Sequence, residues 1–216
     1  MMKVAVIGAT GFVGSHIVNE LASRNNEVTA ISRNTNEQQL PENVKTATAD
    51  VNNIEKLAEV LKGNDVVISA FNAGWTNPNL YNDFLLGSKS IQQAVKDAGV
   101  KRLIVVGGAG SLLIDGKKVI DGPDFPEAYK PGAQAASDYL DILRNEQDLD
   151  WTFFSPALAM NPGNPGERTG KYRTGSDNPV FDAEGQSYLS VADTAVVLAD
   201  EAENPKHIKQ RFTAAY

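Results

Sequence analysis

The chain has no cysteine among its 216 residues. That absence removes disulfides, thiolate nucleophiles and iron–sulfur ligation together, and it suits a reducing compartment. Histidine is almost as scarce. His16 and His207 stand far apart in no metal-ligand spacing, so both read as solvent-facing and no metal site is expected. Long hydrophobic runs are missing too. The apolar stretch after Lys3 stops at Gly8, and no longer one follows before Glu20 and Arg24, which argues against a signal peptide. The uncharged stretch "VVISAFNAGWTNPNLYN" (66–82) is broken by Asn, Gly and Pro and cannot span a bilayer. Positive charge is in deficit, 20 Lys and Arg against 27 Asp and Glu, for a net charge of −7. That balance argues against a nucleic-acid backbone or an anionic membrane as the main partner, leaving a small-molecule substrate and a cytoplasmic location as the expectation.

What the chain does have is alternation. "KVAVI" (3–7), "EVTAI" (27–31), "VKTATA" (44–49), "DVVISA" (65–70), "RLIVV" (102–106) and "DWTFFS" (150–155) read as buried strands. Between them, Ile54, Leu57, Ala58 and Leu61 follow helical spacing, as do Phe84, Ile91, Ala94, Val95 and Ala98, and Ile17, Val18 and Leu21 mark a first helix. Asn52, with Glu55 three residues on, reads as a helix start. Repeated βαβ units force a parallel sheet covered on both faces, so the expected fold is α/β, a Rossmann-type doubly wound sheet in three layers, with residues 1–216 as a single domain. Two stretches interrupt the pattern. Asp115-Gly116 between apolar runs reads as a hairpin turn. Residues 156–188, rich in proline and glycine and following a strand end, read as a substrate-covering loop.

The segment "GATGFVG" (8–14) joins the first strand to the first helix. Gly8 permits a turn that a side chain would resist, Gly11 lets backbone approach phosphate oxygens, and Gly14 lets the helix pack close to the strand. The amides of Thr10, Gly11, Phe12, Val13 and Gly14 would then meet the pyrophosphate of a dinucleotide at a helix N-terminus. The second strand ends in Ser32 and Arg33, with no acidic residue there to accept from a ribose 2′-hydroxyl. Arg33 either forks onto a 2′-phosphate, which would favour NADPH over NADH, or is a surface arginine.

With its G-x-x-G-x-x-G spacing, the chain resembles the atypical and extended short-chain dehydrogenase/reductases. "VVGGAGSL" (105–112), "DFPEAYKP" (124–131), "PGERTGKYR" (165–173) and "YLSVADTAVVLADE" (188–201) further resemble the bacterial NADH-flavin reductase group, related to biliverdin-IXβ/flavin reductase and to nitrogen-metabolite-repressor-like proteins. The resemblance implies an NAD(P)-binding oxidoreductase, with FMN, FAD or riboflavin as a conceivable substrate. It implies that Asp50 and Val51 contact the adenine, although Asp50 also suits a turn ahead of a helix. Ala70 and Phe71 would flank the adenine ribose, although Phe71 is equally suited to a core. Gly107 and Gly108 would lie against the nicotinamide, with Ser155, Pro156 and Ala157 walling its other side. Ser111 either lines that site or starts the hairpin. Typical members pair a tyrosine with a lysine four residues later. Here Tyr129 is followed at that position by Ala133, and Tyr139 by Leu143. Tyr129 and Ser111 are therefore the catalytic candidates, and Glu167 and Arg168 the charged loop residues best placed for a substrate. Asp193, in the S-x-x-D start "SVAD", reads as a capping residue. Three activities stand open: a reductase of planar acceptors, a cofactor-binding redox sensor, and a sugar-nucleotide epimerase or dehydratase.

Overall fold

In β1 (Lys3–Ile7) every residue after the first is buried, as a continuous apolar run requires when both faces of a strand are covered. The computed structural model describes residues 1–34 and 41–216. After β1 come α1 (Phe12–Ser23), β2 (Glu27–Ser32), β3 (Val44–Thr48), α2 (Ile54–Leu61), β4 (Val66–Ser69), α3 (Leu80–Asp97) and β5 (Arg102–Val106). A short hairpin, β6 (Leu113–Ile114) and β7 (Lys117–Lys118), precedes α4 (Lys130–Leu143). The chain closes with β8 (Asp150–Ser155), β9 (Arg173–Gly175), α5 (Val191–Glu203) and β10 (Gln210–Ala215).

The main sheet runs in the order β3-β2-β1-β4-β5-β8-β10-β9 and is parallel except for β9, which pairs antiparallel with β10. One face packs on α2, α3 and α4 through Leu57, Ile91, Tyr139 and Phe153. The other packs on α1 and α5 through Ile17, Leu21, Phe154 and Leu198. This is the expected three-layer, doubly wound arrangement. The strand order reverses between β1 and β4, and the crevice outside their carboxyl ends is where such sheets bind ligands.

Each strand run expected from the sequence forms a strand within a residue of its expected ends. The hairpin also forms at Asp115-Gly116, whose φ angles of 50° and 77° are those of a tight two-residue turn. Two local expectations shift. Asn53, not Asn52, caps α2, its side-chain oxygen accepting from the Lys56 amide at 3.0 Å. His207 is not solvent-facing. Its ring stacks on Phe212 at 4.1 Å, and Nδ1 lies 2.7 Å from Glu201 Oε2. Glu201 in turn bonds Arg102 at 2.7 Å, a buried ion pair that ties α5 to the start of β5.

Candidate functional site

The glycine turn is built by the contacts each glycine permits. Gly8 has φ 78°, and a Cβ there would lie 2.6 Å from the Ala70 carbonyl oxygen, so β1 and β4 approach at the switch point only without a side chain. A Cβ at Gly14 would lie 2.1 Å from the Gly8 oxygen, so α1 can pack onto the turn only through glycine. Gly11 differs. It is exposed, its φ of −78° and ψ of 172° suit any residue, and its added Cβ would meet only the Gly8 oxygen at 3.2 Å. The fold therefore explains Gly8 and Gly14 but leaves Gly11 unexplained.

The start of α1 is open. No side chain caps it, and among the described residues the amides of Phe12, Val13 and Gly14 find no backbone partner; Gly11 N–H alone turns back to the Gly8 oxygen at 3.0 Å. Such amides, with the helix dipole behind them, form an anion site. The residues present fit a dinucleotide's pyrophosphate: orphaned donors beside a cradle that a side chain at Gly11 would enter.

The other sequence-identified positions ring the same carboxyl edge. Ser32 ends β2 with Oγ donating to the Asn34 carbonyl at 2.6 Å, and Arg33 beside it is exposed with no ion pair among the described residues. Asp50, exposed after β3, accepts from the Asn52 amide at 2.9 Å, and Val51 is buried behind it. Ala70 touches the Gly8 turn. Phe71 is half-buried, stacked on Phe84 at 6.0 Å and seated on Gly87, where a Cβ would come within 2.5 Å of its ring. Ser155 ends β8, Pro156 and Ala157 follow it, and all three are buried. Gly107 has a packing reason of its own, because a Cβ there would collide with the Phe153 ring at 1.9 Å. Gly108 is less crowded, with Ala136 Cβ at 3.2 Å.

Residues 8–205 match the sequence profile of a family described as NAD(P)H-binding. The chain belongs to this NAD(P)H-binding family. It is 40% identical over 215 residues to YwnB of Bacillus subtilis (strain 168), covering 98% of this chain and 97% of that one. Two solved structures are similar over its whole length. A candidate epimerase from Bacteroides thetaiotaomicron shares 43% identity over 97% of its own chain with a TM-score of 0.91. A candidate NADH-flavin reductase from Streptococcus pneumoniae TIGR4 shares 41% identity over 99% of its chain with a TM-score of 0.86. The resemblance to atypical short-chain dehydrogenase/reductases thus holds across the chain, as does the Rossmann-type fold.

In this NAD(P)H-binding chain the catalytic candidates do not come together. Ser111 is buried, and its hydroxyl accepts from Arg211 Nη1 at 3.2 Å, while the same guanidinium is held by Asp177. Tyr129 sits half in water ahead of α4, its ring edge-to-face with Trp75 at 5.4 Å. Lys130 pairs with Glu127.

The 156–188 stretch divides. Residues 156–166 connect β8 to the start of α5, where the Val191 amide donates to the Pro165 oxygen at 2.9 Å. Beyond them the chain is fastened to helices. Arg168 donates to both Glu20 oxygens at 2.9 Å, about 12 Å along α1 from the glycine turn at 1.5 Å per residue. Arg168 is therefore not brought to the cofactor crevice, and Glu167 is exposed beside it. Residues 173–175 join the sheet as β9.

Sequence reasoning passed over the role of the Asp193 carboxylate. Ser190 does cap α5, accepting from the Asp193 amide at 3.0 Å. The carboxylate itself is buried and accepts from the Thr169 amide and hydroxyl, the Gly170 amide and the Tyr216 hydroxyl. Burial works against its charge, but these donors outweigh burial and hold its carboxyl below the usual carboxylate range. The signal available in sequence was the S-x-x-D pattern alone, which reports the cap and not the distant loop.

A cleft of about 540 Å3 opens over α4, lined by Tyr81, Ile120, Asp121, Lys130, Pro131 and Gln134. No helix among the described residues is long and apolar enough to cross a membrane.

Proposed function

We propose that this protein is an NADPH-dependent reductase that passes a hydride to a flavin (FMN, FAD or riboflavin), a quinone or a similar planar acceptor. One observation carries the choice of acceptor. Among the described residues no lysine partners the candidate tyrosine: Tyr129 lies against Trp75, Lys130 pairs with Glu127, and Ser111 is buried on Arg211. Reducing an isolated ketone builds charge on one oxygen and needs a placed donor. A conjugated ring spreads that charge, and water delivers the one proton needed.

Bound NADPH supplies the hydride, so NADPH, acceptor and one proton become NADP+ and the dihydro acceptor. The open amides at the start of α1 would hold the pyrophosphate, and Arg33 the 2′-phosphate; its exposure and lack of an acidic neighbour at the β2 end support that role. Residues 1–216 would act as one domain, with the 156–166 connection covering one side of the acceptor. An epimerase or dehydratase is disfavoured because those reactions lean on the missing tyrosine–lysine pair; the other candidate tyrosine, Tyr139, is 1% exposed. We place the protein in the cytoplasm, and recovery in a secreted fraction would overturn that placement.

The test is NADPH consumption with riboflavin, menadione and an isolated ketone. Turnover with the planar acceptors and not the ketone is expected. Tight NADPH binding with no consumption would identify a redox sensor instead.

A further inference from the structure

We infer that Trp75 and Tyr129 form the seat on which the acceptor's ring plane rests. The reductase reading supplies the class of ligand, but the site is visible without it. Trp75 is 58% exposed and Tyr129 53%, an unusual state for two neighbouring large aromatic residues. The fold holds them there. Asn72 accepts from the Gly74 amide at 2.7 Å, Asn77 donates to the Ala73 oxygen at 3.2 Å, and the Asn77 amide donates to the Gly74 oxygen at 3.0 Å. Those bonds, with Gly74 at φ 100°, fix the loop that carries the indole. The benzo edge of Trp75 rests on Gly132, where a Cβ would come within 2.9 Å of it, and Tyr129 meets it edge-to-face at 83°. An indole oriented by a glycine and a hydrogen-bonded loop, yet left largely in water, is organised for a planar partner.

The seat is also in the right place. The loop bearing Trp75 follows β4, the strand beside the glycine turn. One turn further along α4 from Gly132, Ala136 lies against Gly108, the backbone expected beside the nicotinamide.

The test is riboflavin binding and reduction by the full chain with Trp75→Ala and Trp75→Phe. Binding is read by calorimetry, and stacking on Trp75, the exposed one of the two tryptophans, by loss of the flavin's own emission. Trp75→Ala should weaken riboflavin binding about tenfold, in the range of losing one stacking face, and raise its KM similarly, while NADPH affinity and thermal midpoint stay unchanged. Trp75→Phe should fall between. Wild-type riboflavin affinity in Trp75→Ala would overturn the seat. Riboflavin bound through Trp75 but never reduced would support the seat and overturn the reductase reading. Riboflavin reduced with an unchanged KM in Trp75→Ala would do the reverse.

Discussion

Replacing Gly11 with valine separates a ligand-binding glycine from a structural one. The backbone at Gly11 is ordinary, and its added Cβ meets a single oxygen at 3.2 Å, so a shift of a few tenths of an ångström accommodates it. The expected cost to folding is below about 1 kcal/mol, typical of an exposed site. The cost to binding is larger, because the branched side chain would stand over the orphaned amides of Phe12 and Val13. Each charge-assisted hydrogen bond to phosphate is worth about 1.5–3 kcal/mol, so losing even one weakens NADPH roughly ten- to a hundredfold, and losing two abolishes measurable binding. Gly14→Ala is the contrasting control. Its methyl would sit 2.1 Å from the Gly8 oxygen, which is backbone and cannot turn aside, so the thermal midpoint should fall. Calorimetric titration with NADPH, paired with thermal unfolding, reads both effects. A folded Gly11→Val protein with undiminished NADPH affinity would refute the reasoning and move the cofactor elsewhere.

Arg33→Ala should weaken NADPH about ten- to a hundredfold and leave NADH unchanged; equal affinity of the unmodified protein for the two cofactors would contradict the 2′-phosphate role. Tyr129→Phe should lower turnover with planar acceptors less than tenfold, below the roughly 10²–10⁴-fold typical of losing a general acid, as steady-state kinetics would show. Glu201→Ala should cost about 3–5 kcal/mol in chemical denaturation, because it leaves the Arg102 guanidinium buried without its carboxylate partner. Glu146 supplies a pH dependence. Burial works against its charge, yet bonds from Lys96, the Asp148 amide and Gln92 lower its pKa from 4.5 to about 2. A depressed carboxylate stabilises the fold fully above its unfolded value and loses that contribution as pH falls through the folded one. Acid titration of the thermal midpoint should therefore show a loss between about pH 4.5 and 2 that is smaller in Glu146→Gln, the other depressed carboxylates, Asp193 and Glu20, supplying the rest.

The parts legible in sequence are those set by local pattern. Buried parallel strands are continuous apolar runs, and a two-residue hairpin needs residues that tolerate positive φ, as Asp115 and Gly116 do. Gly8 and Gly14 were readable because a strand–turn–helix junction imposes their contacts within seven residues. Elements held by pairing alone were not. The three residues of β9 carry no strand signal, and β10 places Arg211 and Thr213 among its buried positions, which blurs the apolar run. Long-range partners were equally hidden. Gly107 is glycine because Phe153 fills the space of its side chain; Ser111 is claimed by Arg211, 100 residues away, and Arg168 by Glu20, 148 residues away. Nothing near those residues in the chain encodes the partner, so reading them by their chemistry alone points toward a site that some of them do not reach.

The central claim joins a place to a reaction: NADPH held at the glycine turn gives its hydride to a planar ring. Its most direct test is a single-turnover experiment in which the protein, preloaded with one equivalent of NADPH, is mixed with riboflavin or menadione while the reduced-nicotinamide absorbance is followed. The account predicts rapid loss of that absorbance with the unmodified protein and none above the uncatalysed rate with Gly11→Val. A complex that keeps its NADPH through every planar acceptor, or a Gly11→Val protein that reacts as fast as the unmodified one, would contradict it.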